Sequence, residues 1–214
     1  MILFMVARIL DIHTHSLPHT PGTALVCIGC GPIPEQEGHL LSAGVHPWDI
    51  SDSYESQLDA VARLAANPGV VAIGECGFDT LKGPDHEIQE KVFLEQAGIS
   101  QGYNKPMILH VVKDFDSVIR IRKQLKPTCE WIIHGFRGGV SQMEQLFRAG
   151  LLVSFGMRHN VQALRVVPDD RLFLETDGKC GIDEVIRAAA EVRGETPDRI
   201  ESIVAANNLR LLCK

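Results

Sequence analysis

Two histidines one residue apart close the first apolar run of the chain, which reads Ile9-Leu10-Asp11-Ile12-His13-Thr14-His15. Because successive side chains of a strand point to opposite faces, Asp11, His13 and His15 share one face. Neutral imidazoles are good ligands for divalent transition metals. The pair alone does not separate a metal site from a surface feature or a cloning remnant. The positions of the other histidines and carboxylates therefore decide the question.

Five later apolar runs also end in histidine or in carboxylates. The residues concerned are His46, Glu75, Asp79, His110, His134, Glu175 and Asp177. In a parallel barrel the carboxyl ends of the strands meet at one mouth, where the active site lies. Burying so many polar groups together is costly unless something binds them, and a metal would. The pattern therefore predicts a metal site at one end of a barrel.

Four of these histidines, His13, His15, His110 and His134, together with Glu75 and Asp177, are enough ligands for two divalent ions. Such a pair of ions acidifies a bound water and polarises a substrate oxygen. Mixed imidazole and carboxylate ligands suit zinc, manganese or iron, and suit magnesium less well. The sequence does not choose among these metals.

Strands alternating with helices are predicted by the order of the apolar runs. Eight strand-like runs cover residues 9–15, 24–29, 41–47, 70–79, 107–112, 131–136, 151–156 and 172–177. Amphipathic, helix-like segments cover residues 54–67, 85–103, 114–125, 140–149, 182–193 and 198–211. Alternation of this kind implies parallel pairing through right-handed crossovers. We therefore expect an α/β protein with a compact TIM-like (β/α) barrel.

The connection between the second and third runs differs from the others. Residues 30–40 contain two prolines and two glycines and are short for a parallel crossover. We expect the helix after strand two to be missing or vestigial. The flank left thinly covered is a natural place for a partner subunit, so a homodimer is one expectation.

Composition bounds the remaining possibilities. A chain of 214 residues with 45% hydrophobic residues can bury a full core, so one domain over residues 1–214 is expected. The net charge of −6 gives no basic footprint for a duplex-binding protein. A nucleic-acid substrate would have to be held locally, by a metal and a few cations.

Cysteine usage and the first residues bear on the compartment. Six cysteines without a secretion signal indicate reduced thiols, and Cys27 and Cys30 form a CxxC without a second such pair. Because Cys27 lies inside a strand-like run, a structural role is favoured over a zinc or redox role. Residues 1–7 read as a lead-in to the first strand, and Arg8 interrupts the apolar stretch. No segment is long enough to span a membrane, so we expect a cytoplasmic protein.

Six motifs in order, DIHTH, GVHPW, AIGECGFD, PMILH, WIIHGF and LFLETD, are followed by NNLRLL. The series resembles the TatD-type metal-dependent hydrolases, often called TatD deoxyribonucleases, of the amidohydrolase superfamily, over nearly the whole chain. The resemblance implies that His13 and His15 ligate a first metal and that His110 and His134 hold a second. It also implies the two catalytic groups, Glu75 bridging both metals and Asp177 completing the first and handling the proton of the attacking water.

The resemblance also suggests a substrate pocket. His46 and Asp79 match family positions that line it, and Lys113 and Arg137 are candidates to bind substrate. A cationic rim for a phosphate would comprise Lys82, Lys113, Arg137, Arg158 and Lys179. The alternative is that each is a solvated loop charge. Trp48 and Phe136 are candidates to stack on bases, and core packing is the alternative for Phe136.

Three functions stay open at this point. Family members cleave phosphodiesters, commonly DNA from a free 3′ end, which favours a single-strand exonuclease whose partners are DNA ends. The loops after several strands are shorter than in typical members, which supports hydrolysis more firmly than it supports DNA. The second function is hydrolysis of a small ester, amide or lactone by the same two-metal chemistry. The third is a non-catalytic binding protein that retains its metal.

Overall fold

A computed structural model describes residues 8–212, so the predicted lead-in over residues 1–7 lies outside the described residues. Eight parallel strands form one sheet whose spatial order follows the sequence. They are β1 (Asp11–Thr14), β2 (Ala24–Gly29), β3 (Leu40–Ala43), β4 (Val70–Asp79), β5 (Met107–Val112), β6 (Trp131–Ile133), β7 (Leu151–Phe155) and β8 (Phe173–Leu174). The Asp177 N–H donates to the His13 carbonyl oxygen over 3.0 Å and joins the last strand's end to the first. The predicted TIM-like barrel is confirmed.

Each of the six predicted amphipathic segments is a helix, and helix ends differ from the prediction by two residues at most. The helices are α1 (Tyr54–Ala65), α2 (His86–Gly102), α3 (Phe115–Leu125), α4 (Val140–Arg148), α5 (Val161–Val166), α6 (Ile182–Arg193) and α7 (Pro197–Leu212). The short α5 was not predicted, because six residues are too few to show a helical period. Its N-terminus is capped by Asn160, whose side chain accepts from the backbone of Gln162 and Ala163. None of the described helices is long and apolar enough to cross a membrane.

Two connections on one flank of the barrel contain no helix. The stretch between β2 and β3 is helix-free as predicted, and the stretch between β1 and β2, residues 15–23, is helix-free as well. Both strand pairs are nevertheless parallel. Without a covering helix, Ile28 stays half-buried and Ile33 stays exposed.

Several strands end earlier than the sequence pattern predicts. His46, His134 and Asp177 lie just beyond β3, β6 and β8. Single backbone hydrogen bonds still continue the ladder there, since the His134 N–H donates to the Leu109 carbonyl oxygen over 2.9 Å. The side chains that follow are therefore free to turn toward the barrel axis while their backbones stay fixed.

A layer of apolar side chains fills the barrel below these strand ends. It contains one fully buried residue from each of six strands: Ile12, Leu25, Ala72, Ile108, Ile132 and Phe173. Residues from strands all around a closed sheet can form one cluster only in its interior. Ile108 precedes His110 by two residues on the same strand face. This layer is the floor on which the rim residues stand.

The last helix ties the two ends of the barrel together. Asn207 donates through its side-chain amide to the carbonyl oxygens of Asp169 (2.7 Å) and Leu172 (2.9 Å), just before β8. Asn208 is fully buried and donates to the Ile9 carbonyl oxygen, just before β1, over 3.0 Å. The two neighbouring amides of α7 therefore hold the first and last strands in register at the end opposite the rim.

Candidate metal centre

Glu75, near the middle of β4, stands at the centre of the rim and is only 4% exposed. Five imidazoles reach its carboxylate. His134 Nε2 (2.6 Å), His110 Nδ1 (2.8 Å) and His46 Nε2 (3.3 Å) approach Oε1, and His13 Nε2 and His15 Nε2 (both 3.3 Å) approach Oε2. Each of the two carboxylate oxygens of Glu75 is therefore approached by its own group of imidazole nitrogens.

Asp177 supplies a second carboxylate on the His13 and His15 side. Its Oδ1 is 3.4 Å from His15 Nε2 and 3.7 Å from His13 Nε2. The other oxygen contacts the Lys179 ammonium. Asp177 is half-buried, whereas Glu75 is buried. The donor atoms of His13, His15 and Asp177 all lie within 4.8 Å of one another, as a bound cation requires.

Two buried nitrogens without hydrogen-bond partners also fit a cation site. Among the described residues, neither ring nitrogen of His13 makes a hydrogen bond. His13 is completely buried, so these atoms cannot turn to water. Leaving such groups unpaired costs about 1–3 kcal/mol each. A set of imidazole and carboxylate donors fits a divalent transition metal, so the residues present suit such an ion.

Electrostatic interactions within the cluster shift the pKa values of several of its members. Burial works to raise the pKa of Glu75, but His134, His110 and His13 hold that pKa far below its usual range. Burial and the neighbouring His134 oppose protonation of His13, yet the nearby carboxylates of Asp177 and Glu75 raise its pKa to about 9. In the absence of a cation, protonated His13 therefore balances part of the carboxylate charge at neutral pH. Metal binding must displace that proton.

Two glycines let β4 approach β5 closely on either side of Glu75. Gly74 and Gly77 have φ values of 136° and 143°, a region that side chains other than glycine rarely adopt. A Cβ at Gly74 would collide with the Ile108 carbonyl oxygen, and one at Gly77 with the His110 carbonyl oxygen. The two glycines of the sequence GECG thereby allow β4 to lie close enough to β5 for Glu75 to contact His110.

Gly77→Ala is expected to destabilise the protein by about 2–4 kcal/mol, because strained φ and steric overlap act together. Gly98 provides the control, since a Cβ there meets nothing within 4 Å and the site is an exposed position of α2. Gly98→Ala should stabilise the helix by about 0.5–1 kcal/mol. Urea denaturation of both variants measures the difference. Equal stabilities would contradict the requirement for glycine at position 77.

Asp11 is a site residue for which no role was inferred from the sequence. It is buried, and its Oδ2 accepts from the Thr176 hydroxyl over 2.6 Å. Its Oδ1 accepts from the N–H groups of His13 (3.2 Å) and Thr176 (3.1 Å). Burial outweighs these bonds and raises the pKa of Asp11 to about 6. The side chain fixes the backbones that carry His13 and Asp177. The sequence feature that could have indicated this role is the position of Asp11 on the same strand face as His13.

Glu175 is a second residue that sequence reasoning placed at a strand end without assigning a role. It is buried, its Oε1 lies 3.5 Å from His134 Nδ1, and its Oε2 accepts from the Ser154 hydroxyl. A carboxylate behind a ligating imidazole fixes the orientation of the ring and raises its basicity. The signal was the ETD spacing, which puts Glu175 and Asp177 on one face of the strand end.

The four predicted substrate-binding residues lie in different environments. His46 lies inside the cluster, where its donor atom groups with those of Glu75 and His110. Asp79 lies behind His110, with its Oδ2 3.2 Å from His110 Nε2. Arg137 is exposed beside the cluster. Lys113 is exposed too, and within residues 8–212 it forms no ion pair, so no contact ties it to the cluster.

The two aromatic residues that are candidates for base stacking differ in solvent exposure. Phe136 is 2% exposed and packs edge-on against Phe155, with ring centroids 5.9 Å apart, so core packing is the correct reading. Trp48 is 47% exposed, and its ring nitrogen donates to Asp79 Oδ2 over 2.7 Å. Lys82 Nζ lies 3.9 Å from the centroid of the same ring. Trp48 is therefore held in place and still open to solvent.

A cavity of about 370 Å³ opens beside Asp177 and Glu175. Three cationic side chains line it, those of Arg137, Arg158 and Lys179, and Met157 adds an apolar surface. Three members of the predicted cationic rim therefore share one cavity next to the carboxylates, whereas Lys82 lines a different one. The cavity is large enough for part of a small anionic substrate.

Comparison with known proteins agrees with this geometry. The family model described as TatD related DNase matches residues 34–213. The metal-dependent hydrolase YcfH of Escherichia coli K12 is 30% identical over 202 residues, covering 84% of this chain and 76% of YcfH. The 3′-5′ ssDNA/RNA exonuclease TatD of Erwinia billingiae is 26% identical, covering 88% and 87%.

Solved structures show the same fold. The TatD homologue YjjV of Escherichia coli K12 superposes with a TM-score of 0.82 at 21% identity, covering 97% of this chain and 99% of YjjV. A TatD-family hydrolase from Entamoeba histolytica gives 0.76 at 15% identity, with coverage of 98% and 99%. With most of its length matched by one family model, the chain belongs to the TatD family of metal-dependent hydrolases.

Proposed function

We propose that the protein is a phosphodiesterase that removes nucleotides from the 3′ end of single-stranded DNA. The observation that carries the proposal is the convergence of five imidazoles on Glu75 beside a cavity lined by three cations. Relatives include a protein named as a 3′-5′ ssDNA/RNA exonuclease, which supports the choice of substrate. Hydrolysis of an ester bond is common to this proposal and to the small-ester alternative.

His13, His15 and Asp177 would hold one divalent cation, and His110 and His134 a second, with Glu75 shared by both. Two cations bound there would polarise a phosphate oxygen and bring the pKa of a water near neutrality. His46 is close enough to Glu75 to supply a further nitrogen on the His110 side. The donor set thus agrees with the two-metal expectation from the sequence.

Asp177 is the group best placed to take a proton from the attacking water. Burial works to raise its pKa, but His13, His15 and Lys179 hold that pKa below its usual range. The carboxylate is therefore ionised at neutral pH and half-exposed toward the cavity. A general base must reach the proton that it accepts, and Glu75 is too deeply buried among imidazoles to do so.

Substrate would be held by the cavity's cations. Arg137 and Arg158 can each donate two parallel hydrogen bonds to a phosphate, and Lys179 adds a point charge. Trp48, exposed on the other side of the cluster, offers a face for a base. The chain's charge of −6 gives no general attraction for DNA, so binding depends on these few groups.

The test is an incubation of the metal-loaded protein with a 3′-labelled and a 5′-labelled single-stranded oligonucleotide, beside a panel of carboxylic and phosphate esters. A ladder of shortened 5′-labelled products, with early loss of the 3′ label, is the expected result. Turnover of carboxylic esters alone would replace the proposal by the small-ester alternative. Full metal occupancy without any turnover would support the binding-protein alternative.

Replacing Arg158 by alanine is expected to raise KM for the oligonucleotide roughly tenfold, because a charge-assisted hydrogen bond to phosphate contributes about 1.5–3 kcal/mol. The value of kcat should change much less, since within residues 8–212 Arg158 forms no hydrogen bond or ion pair with Glu75 or Asp177. Arg187→Ala on the exposed face of α6 is the matched control. Steady-state kinetics at two salt concentrations measure the effect. An unchanged KM would show that phosphate is held elsewhere.

A further inference from the structure

A sulfur donor lies in the centre beside the nitrogen and oxygen donors. Cys27, near the end of β2, accepts a hydrogen bond at Sγ from the Glu75 N–H over 3.4 Å. Its Sγ, one ring nitrogen of His15 and one carboxylate oxygen of Glu75 all lie within 4.8 Å of one another. The sequence placed Cys27 in a strand-like run and gave it a structural role. The geometry puts its thiol at the metal centre.

Ring nitrogens without hydrogen-bond partners lie on the same side of Glu75. His13, which is completely buried, has no hydrogen-bond partner at either ring nitrogen within residues 8–212. Its Nε2 is 3.3 Å from Glu75 Oε2, the same oxygen that His15 approaches. A cation bound on this side would therefore lie among His13, His15, Asp177 and Glu75, next to Cys27.

We propose that the Cys27 sulfur is a ligand of the cation that His15 and Glu75 help to hold, which makes this a mixed sulfur, nitrogen and oxygen site. The proposal rests on the metal centre of the proposed function and adds a statement about its chemistry. The thiol binds as the thiolate, and its proton leaves to solvent. Thiolate ligands favour zinc over manganese and magnesium, which prefer oxygen. The centre should accordingly select zinc.

The neighbouring cysteine distinguishes this proposal from a CxxC disulfide. Both Cys27 and Cys30 are free thiols. Cys30 is exposed, and its Sγ donates to the carbonyl oxygens of Gly44 (3.6 Å) and Gln57 (3.8 Å). Its sulfur is in none of the donor groups found among the described residues. Cys30 is therefore a matched control, similar in chemistry and only three residues away.

The first experiment loads the full-length protein with Co²⁺ under reducing conditions and records its near-ultraviolet spectrum, with bound cobalt counted by elemental analysis. A thiolate-to-cobalt charge-transfer band is expected in the unaltered protein and in Cys30→Ser, and is expected to disappear in Cys27→Ser. Serine keeps a polar atom for the Glu75 N–H, and circular dichroism checks that the variant folds. Cobalt bound without the band, or a band that persists in Cys27→Ser, would overturn the proposal.

The second experiment measures zinc and manganese affinity by competition with a chromophoric chelator. Cys27→Ser should bind zinc roughly tenfold more weakly and manganese nearly as well as the unaltered protein. Equal losses for both metals would contradict a sulfur ligand. These readouts do not depend on DNA cleavage. Failure to bind any metal would instead remove the centre on which the proposed function rests.

Discussion

Asp177→Asn is expected to keep the fold and most of the bound metal while turnover falls roughly 10²–10⁴-fold, the usual contribution of a positioned general base. Asparagine is isosteric and still offers an oxygen near His13 and His15, but it cannot accept the proton. Activity on the labelled oligonucleotide and metal content by elemental analysis are measured on the same preparation. The loss should appear in kcat more than in KM.

The control is Asp183→Asn, the same substitution at an exposed position in the first turn of α6. This variant should match the unaltered protein in turnover and metal content. If Asp177→Asn retains full activity, another group handles the proton. If it loses its metal instead, Asp177 acts mainly as a ligand.

Glu75→Gln is expected to have the larger effect on metal binding. Five imidazoles approach this one carboxylate, which the two proposed cations share. Replacing an outer hydrogen-bonding partner of a metal ligand typically costs about 10–100-fold in metal affinity, so loss of the shared ligand should exceed that. Elemental analysis after dialysis should find less than the full complement of metal, and activity should fall to background.

Stability of the metal-free protein gives a second readout for the same variant. At neutral pH the carboxylates of Asp177 and Glu75 stabilise protonated His13 and raise its pKa to about 9, so part of this interaction is lost with Glu75. A raised pKa contributes stability below the ordinary imidazole range that is lost as pH rises through the folded value. Glu75→Gln should therefore lower Tm more near neutral pH than above pH 9. Glu191→Gln on exposed α6 should change Tm at neither pH.

The convergence of the proposed ligands could be predicted because it follows from topology. Ends of parallel strands in a barrel meet at one mouth, so His13, Glu75, His110, His134 and Asp177 had to converge once eight strands were identified. The strand limits of β2, β4 and β5 agree with the sequence pattern. Long apolar runs with clear turn signals specify such elements well.

Groups that act through other residues were not predictable in the same way. Glu175 and Asp11 work by contacts to His134 and Thr176, and such contacts depend on side-chain directions at strand ends. Cys27 reads as one more apolar residue of β2, and only the approach of β4 shows that it neighbours Glu75. Lys113 had the expected sequence position, but a left-handed backbone at this residue, with φ of 60°, accompanies its exposed side chain.

The contact between α7 and the residue just before β1 has a consequence for folding during synthesis. Asn208 hydrogen-bonds to the Ile9 carbonyl oxygen across 199 positions of sequence. Contacts of such separation form late, because the entropy of closing a long loop must be overcome first. During synthesis, β1 leaves the ribosome long before Asn208, so this contact cannot form until some 199 further residues have been added. During that interval its edge is open to pairing with other nascent chains, which makes chaperone binding at this stage valuable to the cell.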